Sequence, residues 1–193
     1  MINADPASDH DRMRAVARGD LASMNAIYEN RHRPLFRFFF RLTGRQAMAE
    51  DLVHEVFVRM IRYRHTYQME TVSAGTFEAW MYRIARNALA DTTRKHRLET
   101  TAAEGELESI ESTRPTPFDA AAKRQDLALL YRALRALPED KREVLVLARF
   151  QNLAYDEIGR ILGCESGTVK GRVFRAMKEL SAIYSDLSKE KTA

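Results

Sequence analysis

The sequence predicts an all-α protein: two small helical domains joined by a flexible acidic linker, the C-terminal one carrying a helix-turn-helix. Apolar residues recur at helical spacing in both halves, without the sustained alternation of a strand. Charge falls in blocks. Residues 1–97 hold 16 Lys and Arg against 11 Asp and Glu, residues 98–119 hold 1 against 6, and residues 120–193 hold 14 against 10. Near the C-terminus a short apolar helix, a glycine and a basic helix follow one another, the order of a helix-turn-helix.

In the first half, Asp20 is expected to cap a helix carrying Leu21, Met24, Ile27 and Tyr28 on one face. Pro34 should interrupt or kink it before the run Leu35 to Phe40, and Gly44 should end it. A second helix is expected over about Gln46 to Arg64, with Leu52, Val53, Val56, Phe57, Met60 and Ile61 inward. Thr76 should cap a third, with Phe77, Trp80, Met81, Ile84 and Ala88 along one side.

Residues 98–119 contain Pro115 and Pro117, lack a sustained period and repel themselves electrostatically, so they read as an extended linker. The alternative is a poorly patterned surface helix. Thr116-Pro117 then opens a helix carrying Leu127, Leu130, Tyr131 and Leu134, and Pro138 starts another with Val144, Leu145 and Leu147.

Ile158, Ile161 and Leu162 give the next helix one buried face, and Gly159 is small where another helix must cross. Gly163 can take positive φ and stop the helix within one residue. Ser166 can cap the last helix, whose inward face is expected to be Val169, Val173, Met177 and Leu180. Lys170, Arg172, Arg175 and Lys178 point elsewhere. A helix of this kind suits a major groove, its first residues reaching base edges and its basic residues meeting phosphates. Any one of those basic residues alone reads as a solvated surface side chain; the combination points to DNA.

Other classes are disfavoured. The sequence has no glycine-rich phosphate loop, nucleophile elbow or metal-ligand cluster, so neither catalysis nor a cofactor is expected. A metal site at Asp51, His54 and Glu55 is the nearest rival, but positions 54 and 55 face differently on a helix. Cys164 is the single cysteine and is expected to be a small buried packing residue in a reducing compartment. No apolar run approaches the roughly 20 residues that span a bilayer, and the first residues lack a signal-peptide pattern, so a cytoplasmic protein is expected.

Three ordered segments carry a resemblance. They are Ala49-Glu50-Asp51-Leu52-Val53-His54-Glu55-Val56-Phe57, Phe77-Glu78-Ala79-Trp80-Met81-Tyr82-Arg83-Ile84-Ala85-Arg86-Asn87, and Leu137-Pro138 through Leu180. Together they resemble the extracytoplasmic-function sigma factors of the sigma-70 family. The resemblance implies a region 2-like domain over 1–97, a linker over 98–119 and a region 4-like domain over 120–193. It further implies an alternative sigma factor that binds core RNA polymerase, directs it to promoter DNA and is held by an anti-sigma factor. Contact with a membrane would come only through a membrane-bound anti-sigma factor.

By the same resemblance, Asp51, His54 and Glu55 dock on the polymerase, His54 standing where the family usually has Gln. Tyr67, Ile84 and Asn87 would hold a base flipped from the −10 element, while Arg83, Arg86, Arg94, Lys95 and Arg97 meet phosphates. Trp80 and Phe77 read as core. Ser166, Thr168, Lys170, Gly171, Arg172, Phe174 and Arg175 would form the −35 recognition face, Gly171 replacing the more common Ser. Loop 68–75 looks longer than is usual, which affects the placing of Tyr67. A helix-turn-helix regulator that binds DNA alone is the rival reading, but the first half lacks a receiver-like βα pattern or an obvious ligand-binding domain.

Overall fold

The computed structural model describes residues 8–67, 76–99 and 117–190. Among them there are only helices and their connections. In chain order these are α1 (Asp9–Ala17), α2 (Ser23–Thr43), α3 (Gln46–Arg62), a 3-10 turn (Arg64–Thr66) and α4 (Phe77–Glu99). After these come α5 (Pro117–Ala136), α6 (Glu139–Leu145) with a π-helical continuation (Val146–Phe150), α7 (Tyr155–Leu162) and α8 (Ser166–Glu190).

Helix α1 was not anticipated, because its nine residues are largely polar. It forms because Ser8 caps it, accepting the Asp11 amide at 3.2 Å, and because Met13 and Val16 are fully buried. Asp9, also buried, is held by Arg12 at 2.9 Å, by Asn30 at 2.9 Å and by Arg31 at 2.5 Å. Arg31 reaches on to Glu78 at 2.6 Å, so one charge network ties α1, α2 and α4 together.

Asp20 does not cap α2. The N-cap position is Ala22; from the turn before it the Asp20 carboxylate accepts the Ser23 hydroxyl and the Ser23 and Ala22 amides, and the helix opens at Ser23 with Leu21 and Tyr28 exposed. Pro34 lies inside a helix that runs unbroken to Gly44, whose φ of 67° ends it. Phe38, Phe39 and Leu35 are fully buried, each worth about 1.5–3 kcal/mol on removal from water. Thr76 does cap α4, accepting the Ala79 amide at 3.3 Å.

The linker expected over 98–119 lies largely outside the described residues: α4 continues through Glu99 and α5 opens at Pro117, in keeping with proline's fitness for a first helical turn. Among the described side chains of α5 the buried ones are Leu129, Ala133 and Leu134, whereas Leu127, expected inside, is 37% exposed. In α8 the inward stripe is Val169, Val173, Ala176 and Leu180. Met177 faces out: a spacing of three from 173 to 176, then four to 180, keeps the stripe on one side of the helix.

The two halves pack into one core. Arg142 stitches them: it donates to the Leu42 carbonyl at 2.5 Å, and to the Arg135 and Leu137 carbonyls at 3.0 and 2.9 Å. These carbonyls lie at the C-terminal ends of α2 and α5, where helices leave acceptors unpaired. The Arg41 guanidinium sits 4.4 Å above the Phe150 ring, and the Tyr82 hydroxyl donates to Gln151 at 2.5 Å. Thr76 and Glu157 are also hydrogen-bonded across the join.

Candidate nucleic-acid interface

Helix α3 buries Leu52, Val53, Val56, Phe57 and Met60, which turns Glu50, Asp51 and His54 to solvent. Asp51 and Glu55 lie one turn apart, as their spacing required. Glu55 is not free, because Arg59 donates to it at 2.6 Å. The docking face expected from the sequence is therefore an exposed acid and histidine beside a carboxylate already paired within its own helix.

Between α3, the 3-10 turn and α4 lies a cleft of about 410 Å³. Tyr63 and Trp80 form its aromatic walls, Ile84 its apolar floor, and Asn87 supplies an amide. Arg83 brings positive charge, and Arg59, Thr66, Ala90 and Asp91 complete the lining. Such a site can stack a planar ring and hydrogen-bond its polar edge. Of the residues expected here, the structure brings together Arg83, Ile84 and Asn87.

Tyr67 stands behind this cleft instead of lining it. Its hydroxyl is bonded to His10 of α1, and its ring lies 4.9 Å from Trp80 and 6.3 Å from Phe77 in edge-on contacts. Burial pushes its phenol pKa up, with the nearby carboxylates of Glu78 and Asp11 adding to the shift. Arg59, Tyr63, Thr66, Trp80, Ala90 and Asp91 were missed as lining residues. The usable signal was helical spacing: Arg59 and Tyr63 are four apart, as are Trp80 and Ile84, and Ile84 and Asn87 are three apart.

The other basic residues divide. Arg83 is exposed, whereas Arg86 on the adjacent face donates to Glu143 of α6 at 3.0 Å. Arg94 is exposed and pairs with Asp91 at 2.6 Å, and Lys95 is exposed one residue on. The side chain of Arg97 and all of loop 68–75 lie outside the described residues.

In the C-terminal half, Glu157 accepts the Ala154 amide at 2.8 Å and so secures the start of α7. Gly159 is required by the turn itself: a Cβ there would stand 2.5 Å from the Cys164 carbonyl oxygen. The expected close approach is made by backbone: the Cys164 carbonyl of the turn, with the Ser166 amide at the start of α8 3.6 Å from the same Cβ position. Gly163 takes φ of 68°, and the Cys164 amide closes the helix on the Gly159 carbonyl at 2.9 Å. Cys164 is only half-buried. Ser166 is the first residue of α8 and not its cap; the carbonyl of the preceding Glu165 accepts the Val169 amide at 3.1 Å.

Thr168, Lys170, Arg172, Phe174 and Arg175 are exposed on α8, and Ser166 and Gly171 are half-buried. Phe174 is 71% exposed, a large apolar side chain that no described residue covers. Gly171 is not forced by packing, since a Cβ would meet only the Arg175 guanidinium at 3.7 Å.

Two family models match the chain in order: sigma-70 region 2 over residues 27–99 and sigma-70 region 4 over residues 127–180. The ECF RNA polymerase sigma factor SigE of Mycolicibacterium smegmatis is 33% identical over 178 residues, covering 90% of this chain and 67% of that protein. SigM of Bacillus subtilis, also an ECF RNA polymerase sigma factor, is 28% identical over 164 residues, covering 84% of this chain and 96% of that protein. Among solved structures, CnrH in complex with the cytosolic domain of CnrY superposes with a TM-score of 0.70 at 22% identity, covering 93% of this chain and 99% of that one. RpoE bound to the anti-sigma factor NepR, from Bartonella quintana, gives 0.69 at 24% identity, covering 86% and 98%. Those two likenesses concern the fold, while the family models and the SigE relationship fix the kinship. The chain belongs to the sigma-70 family, in its extracytoplasmic-function group.

Proposed function

We propose that this chain is a promoter-specificity subunit: it binds core RNA polymerase, directs it to particular promoters and performs no covalent step. Residues 1–97 act as the unit that docks on polymerase and opens the −10 element, residues 98–119 as the connection, and residues 120–193 as the reader of the −35 element. The observation that carries this reading is one chain holding both a cleft with aromatic walls and an amide, and a helix-turn-helix with an exposed basic recognition helix.

Asp51, His54 and Glu55 meet the polymerase. Tyr63 and Trp80 stack an unpaired base while Asn87 bonds its edge and Ile84 closes the floor. Each such stack is worth on the order of 1–3 kcal/mol, enough to offset part of the cost of opening a base pair. Arg83, Arg86, Arg94 and Lys95 hold phosphates, and Tyr67 supports Trp80 from behind. On α8, Ser166, Thr168, Lys170, Gly171, Arg172, Phe174 and Arg175 face the major groove. An anti-sigma factor controls the chain, by analogy with RpoE held by NepR. The site of action is the cytoplasm; among the described residues no helix is long and apolar enough to cross a membrane.

The test is co-elution of the chain with core polymerase, followed by footprinting on promoter fragments. Protection of two elements by the reconstituted enzyme, and of neither by chain or core alone, supports the assignment. Tight, site-specific protection of duplex DNA by the chain alone would replace it with a self-sufficient regulator.

A further inference from the structure

Arg59 stands where the two activities of the N-terminal half meet. Its Nε donates to Glu55 at 2.6 Å and its Nη1 to Asp91 at 2.8 Å. Glu55 belongs to the docking face of α3, while Asp91 and Arg59 itself line the cleft. Arg59 is largely buried and its two carboxylates are about half-exposed, with side-chain exposures of 18%, 41% and 45% respectively. Burial works against the charge on Arg59, but the two carboxylates outweigh it and hold its pKa above the usual arginine range.

A guanidinium shared by two carboxylates carries little net field into the cleft. If one carboxylate is claimed by another cation, the balance changes. Polymerase cations that engage Glu55 would leave Arg59 to Asp91 and the cleft, raising the positive potential where the phosphate and acceptor edge of an extruded nucleotide must sit. We propose that Arg59 is a positioning residue that couples docking at Glu55 to capture of single-stranded DNA in the cleft. This rests on the assignment of Glu55 to docking and of the cleft to a flipped base. Coupling of this kind is reciprocal, so DNA in the cleft also strengthens docking.

The experiment is a double-mutant cycle on the full chain. The probe is a short fluorescein-labelled single strand copying the non-template −10 segment of a promoter at which the reconstituted polymerase initiates. E55Q mimics loss of the Glu55 charge on docking. It is expected to tighten binding of this strand to the free chain by about threefold, the scale of one partly exposed ion pair. Removing a negative charge tightens DNA binding generally, so the decisive quantity is the same change measured with Arg59→Gln. There E55Q should give no more than a small residual gain, and the difference between the two backgrounds is the coupling. Thermal melting of all four proteins reports folding, and core binding is titrated in parallel.

Equal effects of E55Q in both backgrounds, in proteins that melt alike, would overturn the coupling while leaving the sigma-factor assignment intact. Wild-type chain that binds neither core nor strand would overturn the assignment and the coupling with it. If Arg59→Gln melts far below wild type, Arg59→Lys replaces it in the cycle. A point charge on a shorter donor set should reduce the coupling, and its full retention counts against the proposal.

Discussion

Arg86 on α4 donates its Nε hydrogen to Glu143 on α6 at 3.0 Å, so a residue proposed to hold promoter phosphates is engaged by the opposite half of the molecule. Glu143 has a side-chain exposure of 16%. Burial pushes its pKa above the ordinary glutamate value of 4.5, and Arg86 only partly pulls it back. A carboxylate whose folded pKa is raised contributes stability that is complete below 4.5 and is lost as pH rises through the raised value. The packing of the two halves should therefore tighten as pH falls toward 4.5, and Glu143→Gln should remove that dependence. Urea unfolding across this pH range measures it. At neutral pH the same variant releases Arg86 and should strengthen binding of single-stranded DNA by about twofold.

Asp9 has the opposite sign. Burial alone would raise its pKa, but Asn30, Arg31 and Arg12 together lower it below 3.8. Its contribution is present above 3.8 and fades as pH falls through the depressed value. Asp9→Asn is expected to cost about 2 kcal/mol at neutral pH, the worth of hydrogen bonds to a buried charge. The difference from wild type should vanish in strong acid. Denaturant titration at neutral and acidic pH checks both parts.

Asn87 offers the cleanest probe of the cleft because it is exposed and lies off the core stripe of α4. Asn87→Ala should leave the melting temperature within a degree or two of wild type. Promoter opening by the reconstituted enzyme, followed with a base-stacking fluorophore, should slow about tenfold through loss of one edge contact. Binding to core polymerase should not change.

The two glycines of the helix-turn-helix should behave differently. Gly159→Ala forces a Cβ to within 2.5 Å of a backbone oxygen, and a cost of about 1–3 kcal/mol with loss of duplex binding is expected. Gly171→Ser meets only a flexible guanidinium and should change stability by less than about 0.5 kcal/mol. Differential scanning fluorimetry and a −35 duplex binding assay separate the two.

Much of this was legible from residue order. The long helices, the Gly44 and Gly163 stops and the Thr76 cap follow from spacing and from conformational preferences that act locally. What was not legible depended on contacts between distant residues. Tyr67 and Tyr63 are equally plausible cleft walls in sequence; His10, more than fifty positions earlier, draws Tyr67 behind Trp80 and leaves Tyr63 in front. Trp80 was assigned to the core because its period fits the buried face, yet it stands at the edge of that face and turns one side to the cleft. The exposed Met177 and the buried Ala176 show the same limit, since hydrophobicity alone favours the larger residue. The pairing of Arg86 with Glu143 needed the packing of the two halves, which no local pattern encodes.

The most direct measurement is run-off transcription by core RNA polymerase with and without the purified chain, on a template upstream of a gene neighbouring its own. Initiation at one defined start only when the chain is present, abolished by charge reversal of Asp51 and Glu55 in a protein that still melts cooperatively, is expected. No chain-dependent start at any tested promoter, together with tight duplex binding by the chain alone, would contradict the assignment.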